Sequence, residues 1–234
     1  CMLTGDLYRF QDLLGAEEAE VVTRVRAWLT AEVVPIANEH WSRATFPYEL
    51  IKGFAGLEIA GAEHSNLLSG WLALELARAD ASMATFYGVH AGLAMGSIET
   101  CGSPEQRERW LPDMFALRRL GAFALTEPLG GSDVAGGLRT TARRDGDEWV
   151  LDGHKRWIGN ATFADVVVVL AKDVADGQVK GFLVTTDTPG FSATKIEDKI
   201  SLRSVQNADL TLTDVVVPES RRLPGIRSFR DVAT

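Results

Sequence analysis

The sequence changes character near Gly121, and this change constrains the fold more than any other feature. Before it, apolar residues recur at spacings of three and four positions, which is typical of helices packed on one face. After it, short β-prone runs are separated by turn residues at intervals of about ten positions, with no helical pattern between them. Strands spaced in this way pair as an antiparallel barrel or sandwich. The predicted fold class is α+β, with an all-α domain over residues 1–120 and an antiparallel β-barrel domain over residues 121–234.

The helical half is predicted to contain one amphipathic helix and two more apolar ones. Residues 21–33 carry apolar side chains on a single face, and Pro35 is expected to end this helix. Residues 67–79 and 83–98 are apolar nearly all round, so we expect them at the centre of a helical bundle.

The start of a further helix is signalled at Ser103. The Ser103 side chain can cap the helix, Pro104 fits the first helical position, and Gln106 completes a capping box. This is the best-marked helix boundary in the chain.

The β half is predicted from runs of strand-forming residues and the turns between them. The predicted strands cover residues 122–126, 138–143, 149–152, 166–171, 181–185, 191–196 and 210–217. The predicted turns are Asp145-Gly146, Asp152-Gly153, Asp176-Gly177 and Pro189-Gly190.

Composition excludes several classes of protein. A hydrophobic content of 46% is enough for a core, and a net charge of −8 argues against binding to nucleic acid. Two cysteines cannot form a disulfide framework and suggest a reducing compartment, and the four histidines have no metal-binding spacing. The longest apolar stretch, 83–98, is too short and polar to span a membrane. Because Cys1 precedes Met2, the sequence is interpreted as a fragment or a processed form.

The loop at 126–133 is the most informative stretch for function. It combines glycines, a proline and polar side chains after a strand, and it offers backbone N–H groups to an anion. It lacks the Gly-Lys-Ser/Thr of a Walker A loop, and no helix is expected after it as in a dinucleotide fingerprint. Ser132 lacks the second glycine of a nucleophile elbow, which makes a hydrolase improbable. A purely structural turn remains an alternative at this point.

A second candidate segment is 155–160. Trp157 could present a flat wall to a planar ligand, although an isolated tryptophan is more often part of the core. His154 and His90 are interpreted as ordinary turn or buried histidines rather than bases or ligands.

Together these motifs resemble the acyl-CoA dehydrogenase flavoproteins, and the resemblance covers most of the chain. The segments that carry it, in order, are Ala124-Leu125-Thr126-Glu127-Pro128, Gly131-Ser132-Asp133-Val134, Lys155-Arg156-Trp157-Ile158-Gly159-Asn160, Val205-Gln206-Asn207 and Val217-Pro218-Glu219. The Trp-Ile-Gly-Asn form and the Asp80-Ala81-Ser82 run look most like the glutaryl-CoA dehydrogenase group and the plant short-chain acyl-CoA oxidases.

The resemblance implies FAD-dependent α,β-dehydrogenation of a short-chain acyl-CoA to the trans-2-enoyl-CoA. Thr126 and the strand before it would hydrogen-bond the flavin, Trp157 would stack beside the ring, and Ser132 would lie near the flavin phosphates or the substrate thioester. The residues expected to bind the cofactor are Phe123, Leu125, Thr126, Gly131, Ser132, Trp157, Ile158 and Gly159, with Ser132 also expected to bind substrate.

The family's catalytic base cannot be assigned in this chain. The family has a C-terminal four-helix domain that holds a catalytic glutamate and much of the oligomer interface, and here it should begin just after Gly225. The chain stops at Thr234, so that domain is interpreted as missing and no catalytic residue is named. Glu127 is not proposed as the base, because the family pattern places it in the flavin loop.

Two further departures bear on the substrate. The 60–67 segment is shorter than in relatives, either as a deletion or through omitted residues. Glutaryl-specific enzymes place an arginine in the helix that corresponds to 83–85, yet no arginine occurs between Arg78 and Arg107. A plain short acyl chain is therefore preferred. The alternatives are glutaryl-CoA dehydrogenase and a non-catalytic truncated homologue that binds acyl-CoA or a partner subunit.

The resemblance also implies partners and a location. Electrons would pass to an electron-transfer flavoprotein or to oxygen, and the complete protein would be a homo-oligomer, tetramers being usual for the family. A role in fatty-acid β-oxidation in the bacterial cytoplasm or an organelle matrix follows as an expectation.

Overall fold

The computed structural model describes residues 6–60 and 64–232. Cys1, Met2 and part of the 60–67 segment, namely 61–63, lie outside the described residues. The helices are α1 (Ala16–Trp28), α2 (Val34–Arg43), α3 (Leu50–Gly56), α4 (Asn66–Ala79), α5 (Ala81–Tyr87), α6 (Gly96–Cys101), α7 (Pro104–Phe115) and α8 (Val134–Gly137). The strands are β1 (Gly121–Ala124), β2 (Thr141–Asp145), β3 (Glu148–Ile158), β4 (Val166–Asp173), β5 (Val179–Thr185), β6 (Phe191–Lys195), β7 (Ala208–Pro218) and β8 (Arg222–Leu223). The predicted order of a helical domain followed by a β domain is confirmed.

The first long helix does not end at Pro35, so that expectation is wrong. α1 passes into a π-helical turn at Leu29–Val33, and α2 follows directly with Pro35 in its first turn. A proline inside an α-helix removes an N–H and crowds the preceding turn. The π turn widens the helix before the proline, and the first turn of α2 needs no N–H from it. The chain therefore stays helical from 16 to 43.

The two apolar helical segments are present, although each keeps an exposed apolar residue. α4 buries Trp71 and Leu76 but leaves Leu74 44% exposed. α5, the π-helical segment Gly88–Met95 and α6 form one continuous helical run, in which Leu93 is 46% exposed. The opposite sides of α4 and α5 pack with α1 and α3 into the apolar core of the helical domain.

The capping box at the start of α7 is confirmed. The Gln106 N–H donates to the Ser103 hydroxyl over 3.2 Å, and the Ser103 N–H donates to the Gln106 side-chain oxygen over 2.9 Å. The side-chain amide nitrogen of Gln106 also donates to the carbonyls of Ser220 and Arg222. This cap therefore ties the helical domain to the end of the β domain.

The sheet is mixed rather than purely antiparallel. Its hydrogen-bonded order is β6-β7-β3-β2-β4-β5-β8, with β1 pairing with β4 off this path. β1 and β2 both run parallel to β4, whereas the other pairs are antiparallel. Antiparallel neighbours need only a hairpin to join them, but a parallel pair needs a long crossover connection. In this chain the β2–β3 hairpin lies within the crossover from β1 to β4. Strand spacing alone does not reveal such a crossover.

The predicted turn at Asp152-Gly153 is also wrong, because β3 continues through it. The register between β3 and β7 shifts between Leu151 and Gly153, which marks a β-bulge. Gly153 has φ +151, and a Cβ atom there would lie 2.6 Å from the Thr140 hydroxyl oxygen. The extra residue of the bulge lies in β7, between Leu212 and Val215, so glycine is needed at 153 because Thr140 packs against its main chain and not for a hairpin.

β4 is the central strand and is buried on both faces. Val167 and Val169 point into the apolar interior of the β domain, while Val166 and Val168 pack against the helical layer formed by α6, α7 and the π-helical segment Gly88–Met95. The continuous apolar run of β4 reflects this double burial. The two domains consequently share one packed interface along β1 and β4.

Candidate functional site

The loop after β1 is closed by its own main chain. The Glu127 N–H donates to the Gly130 carbonyl and the Gly130 N–H donates to the Glu127 carbonyl, each over 3.2 Å. Gly131 and Ser132 lie exposed at the tip of the loop. A single helical turn, α8, follows, so the expectation that no helix follows is wrong for this stretch. α8 has four residues and makes no βαβ crossover, so it does not create a dinucleotide fingerprint.

A buried ion pair fixes the base of this loop. The Lys155 ammonium is fully buried and lies 2.9 Å from a Glu127 carboxylate oxygen, and it also donates to the Leu125 carbonyl over 3.2 Å. Glu127 accepts the main-chain N–H groups of Arg139 at 2.7 Å and Thr140 at 2.9 Å. Both carboxylate oxygens are thus engaged, and the pair joins β3 to the segments before β2 and after β1.

Burial and hydrogen bonding shift the pKa of each member of this ion pair in opposite directions. Burial acts to raise the pKa of Glu127, but hydrogen bonds from Thr140 and Lys155 outweigh it and hold that pKa below its usual value. Burial lowers the pKa of Lys155 to about 8, although the hydrogen bond and charge of Glu127 oppose this. Glu127 is therefore an ionised anchor of the loop.

The segment Trp157–Asn160 forms a strap beside the loop. The Arg156 N–H donates to the Thr126 carbonyl over 2.9 Å, which brings the strap and the loop together. Trp157 has φ +65 and its side chain is 50% exposed. The left-handed conformation costs about 1–2 kcal/mol for a residue with a side chain, so the surrounding structure must enforce it. The interpretation of Trp157 as a core residue is wrong.

The rest of the strap offers main chain rather than side chains. Ile158 is buried in the core of the β domain. A Cβ atom on Gly159 would lie 3.2 Å from a methyl group of Val89, so this main chain passes close to the π-helical segment. The Asn160 amide nitrogen donates to the Phe86 carbonyl over 3.1 Å, and its oxygen is buried with no hydrogen-bond partner. Asn160 thus fastens the far end of the strap to the helical domain.

The end of β1 and the residues directly after it contribute Phe123, Leu125 and Thr126. Phe123 and Leu125 are half-buried on the helix-facing side of the sheet. Phe123 borders a cavity of about 200 Å³ that is also lined by Gly92 and Leu93. Thr126 is half-buried, and no other described residue bonds its hydroxyl. The hydrogen bond from the Arg156 N–H thus brings the main chain just before Trp157 next to Thr126, while Ser132 lies at the exposed tip without a hydrogen bond to either Thr126 or Trp157.

Sequence reasoning noted Lys155 but missed its partner. In β3 the side chains of Trp149 and Leu151 point inward, and Lys155 occupies an inward position of the same alternating pattern. A charged residue at an inward strand position implies a buried counterion, and that signal could have pointed to Glu127. Asn207, which donates to the Trp157 carbonyl over 3.1 Å, had no comparable signal.

His90 is a buried histidine, as predicted, whereas His154 lies within β3 and is neither buried nor in a turn. His90 is buried; its Nδ1 accepts the Gly121 N–H and its Nε2 donates to the Met114 carbonyl, each over 3.0 Å. Burial lowers the pKa of His90. His154 is exposed beside Thr211. Within residues 6–60 and 64–232, no group of three His, Cys, Asp or Glu side chains could hold a metal ion. No helix in those ranges is long and apolar enough to cross a membrane.

Comparison with known proteins agrees with this architecture. The model of the acyl-CoA dehydrogenase N-terminal domain matches residues 15–118, and the model of the acyl-CoA dehydrogenase middle domain matches residues 122–215. The mitochondrial short-chain specific acyl-CoA dehydrogenase of Mus musculus is 36% identical over 215 residues, which cover 86% of this chain and 52% of that protein. This chain therefore spans about half the length of that curated relative.

Solved structures extend the similarity to the fold. The glutaryl-CoA dehydrogenase from Mycobacterium smegmatis superposes with a TM-score of 0.92 at 39% identity, covering 97% of this chain and 60% of that one. A second structure of a glutaryl-CoA dehydrogenase from that organism, in complex with FADH2, gives a TM-score of 0.91 at 37% identity with the same coverage. The matched N-terminal and middle domains, in the order that the fold shows, establish that the chain belongs to the acyl-CoA dehydrogenase family.

Proposed function

We propose that this chain binds FAD and forms the flavin-binding part of a short-chain acyl-CoA dehydrogenase. The observation that carries the proposal is the strained, half-exposed Trp157, which directly follows the residue whose main-chain N–H bonds the Thr126 carbonyl. Residues held in sparsely populated backbone conformations cluster at ligand sites, and an exposed aromatic ring offers a flat surface to a planar ligand. The match to the family supports the choice of FAD as that ligand.

The residues present fit a flavin. A tricyclic ring needs a flat apolar wall and polar partners along its edge, and Trp157 and the Thr126 hydroxyl meet these needs. Ile158 and Gly159 would contribute main-chain groups, with Phe123 and Leu125 below them. Gly131 and Ser132 would meet the phosphates or the thioester at the loop tip. When bound, FAD supplies the acceptor for the hydride that leaves the β-carbon of the acyl-CoA.

We favour a plain short acyl chain as the substrate. The helical segment that would face the acyl group contains Met83 and Phe86, both buried, and has no cation between Arg78 and Arg107. A carboxylate at the end of a glutaryl chain would lose hydration there without gaining a partner from this segment. The name and 36% identity of the murine short-chain enzyme support this choice.

Glutaryl-CoA is the second candidate, because the Mycobacterium smegmatis glutaryl-CoA dehydrogenase is 39% identical. Reduction of the bound flavin by butyryl-CoA and by glutaryl-CoA, measured as bleaching with the complete gene product, distinguishes the two. Faster bleaching by glutaryl-CoA would contradict our inference that a helical segment without an arginine disfavours a glutaryl chain.

FAD binding itself is tested by titrating the flavin-free protein with FAD and following flavin fluorescence. We expect saturable quenching at a stoichiometry of one. Protein that quenches no fluorescence and copurifies with no flavin contradicts the proposal and favours the alternative of a non-catalytic module that binds acyl-CoA or a partner subunit.

The remaining proposals concern the complete protein. We propose electron transfer to an electron-transfer flavoprotein or to oxygen, a homo-oligomeric state, and a role in β-oxidation in the cytoplasm or an organelle matrix. The name of the murine relative gives that protein a mitochondrial location, which supports the proposal of an organelle matrix. Rates with an artificial electron acceptor and with oxygen alone separate a dehydrogenase from an oxidase.

A further inference from the structure

The segment between β6 and β7, residues 196–207, bridges the two domains, and we call it the bridging loop. The Arg203 guanidinium donates to the carbonyls of Trp41 at 3.0 Å and Ser42 at 3.2 Å, and the Gln206 amide donates to the Ala44 carbonyl at 3.3 Å. These carbonyls lie at the end of α2, where intrahelical donors run out, although the Trp41 carbonyl also accepts the Ala44 N–H over 3.2 Å. A positive charge is also favourable there. The helical domain therefore anchors the bridging loop from outside.

Lys199 organises the bridging loop from inside. Its ammonium donates to the carbonyls of Leu202 at 2.7 Å and Val205 at 2.5 Å, and to the side-chain oxygen of Asn207 at 2.7 Å. These contacts use all three N–H donors of a lysine. Because the amide oxygen of Asn207 faces Lys199, its NH₂ group is turned the other way.

That NH₂ group reaches the strap. It donates to the Trp157 carbonyl over 3.1 Å, at the residue whose φ of +65 needs external support. A Cβ atom on Gly159 would lie 3.8 Å from the same Asn207 nitrogen, so the bridging loop also runs along the next turn of the strap. Lys199, Asn207 and Trp157 thus form one continuous hydrogen-bonded relay.

We propose that Lys199 and Asn207 are positioning residues that hold the main chain of Trp157, and with it the indole wall of the flavin site. This inference rests on the flavin-binding function proposed above. Both side chains act through the conformation of Trp157. Breaking the relay should free the strap at Trp157 while the bond from the Arg156 N–H to the Thr126 carbonyl holds its other side.

The relay is tested first without flavin. Lys199→Met removes the donors, and Asn207→Asp keeps the shape and the contact with Lys199 but places an oxygen against the Trp157 carbonyl. Lys195→Met is the matched control, since Lys195 carries the same charge and donates to the Ala44 carbonyl over 3.0 Å, but does not contact Asn207. Amide hydrogen exchange of peptides covering 156–160 should be about five- to tenfold faster in the first two variants, as expected for the loss of one hydrogen bond. The control should exchange at the wild-type rate.

Bound FAD gives the second readout. The visible circular dichroism of the flavin reports the asymmetry of its surroundings, and in Lys199→Met and Asn207→Asp it should move towards the spectrum of Trp157→Ala, whereas Lys195→Met should keep the wild-type spectrum. If Lys199→Met does not fold, Asn207→Asp decides the question. Wild-type exchange at 156–160 in Asn207→Asp overturns the relay. A wild-type protein that binds no FAD, but whose variants show faster exchange, overturns the proposed function and leaves the relay supported.

Discussion

At the scale of single residues, the candidate site depends on side chains that do not themselves meet a ligand. Lys155 and Glu127 hold the loop, Asn160 holds the end of the strap, and Asn207 holds its beginning. Trp157, strained and half-exposed, lies between Lys155 and Ile158, where β3 carries one residue more than β7. The motifs that identify the family thus include residues, among them Lys155, Glu127 and Asn160, that hold the loop and the strap in place.

Trp157→Ala should weaken FAD binding about tenfold, because an aromatic stacking partner contributes roughly 0.5–1.5 kcal/mol beyond its buried area. The dissociation constant is measured by quenching of flavin fluorescence. Trp41→Ala is the matched control, since Trp41 is also about half exposed and also lies under an arginine, Arg203, with the guanidinium 5.2 Å from the ring centroid. Equal affinities in the two variants would show that Trp157 is not the wall.

Lys155→Met should destabilise the fold by about 3–5 kcal/mol, because Glu127 is left as a buried carboxylate without its cation. The free energy of unfolding is measured in urea. Adding Glu127→Gln should recover part of the loss, since the remaining charge disappears. Lys180→Met, which breaks the more exposed ion pair with Asp176, should cost less than about 1 kcal/mol. A loss at Lys155 no larger than this control would contradict a buried anchor.

The pKa of Lys155 adds a dependence on pH. The folded-state pKa is lowered from 10.5 to about 8, so between these values the unfolded chain binds a proton that the folded chain does not. The contribution of Lys155 to the free energy of unfolding should therefore rise with pH across this window, by at most about 1.4 kcal/mol per pH unit, and should be constant below it. Burial also lowers the pKa of Lys199 to about 8, so the difference between wild type and Lys155→Met, followed by urea unfolding from pH 7 to pH 10, is used to isolate the contribution of Lys155. A difference that falls with pH would reverse the assigned sign.

At the scale of elements, the irregular positions lie next to the site. The π-helical segment Gly88–Met95 brings His90 to the Gly121 N–H and Val89 to Gly159, and the β7 bulge opposite Gly153 precedes the part of β3 that carries Lys155. Periodicity predicted the helices and strands well, because burial of one face imposes a repeat on the sequence. It did not predict the π turns, the bulge or the parallel pairing, because these depend on contacts with distant parts of the chain.

The cap of α7 allows a test at this scale. Ser103→Ala should cost about 1 kcal/mol of folding free energy, the usual value of an N-cap. Gln106→Ala should cost roughly 2 kcal/mol or more, because it also leaves the carbonyls of Ser220 and Arg222 without their donor. Urea unfolding of both variants gives the two values. A smaller loss in Gln106→Ala than in Ser103→Ala would show that the contact with the β domain contributes nothing.

At the scale of the whole molecule, the strap lies where the two domains meet. Asn160 bonds a helical-domain carbonyl, Gln106 bonds carbonyls at the end of the β domain, and the bridging loop caps α2. A ligand on the strap therefore reports on the packing of both domains. Binding to the folded state alone should stabilise the entire structure by mass action.

FAD at about one hundred times its dissociation constant should stabilise the fold by about 2.7 kcal/mol, and for a protein of this size that raises the melting temperature by roughly 5–11 °C. Thermal unfolding followed by circular dichroism measures the shift. Trp157→Ala at the same FAD concentration should show a smaller shift, since fewer molecules are occupied. An unchanged melting temperature with saturating FAD would contradict binding to the native state.

The sequence by itself determined the two-domain order, the capped start of α7, most strands and the family. Each of these follows from periodicity, cap chemistry or a short motif that is visible within one contiguous stretch of residues. Only the tertiary structure decided that Pro35 lies inside a helical run, that β1 and β2 run parallel to β4, that Lys155 pairs with Glu127, and that Lys199 and Asn207 reach Trp157. Each of these joins residues that lie far apart in the chain or satisfies a backbone group through a distant partner. Such pairings are fixed by the requirement that buried polar groups find partners, and that requirement leaves no periodic trace in the sequence.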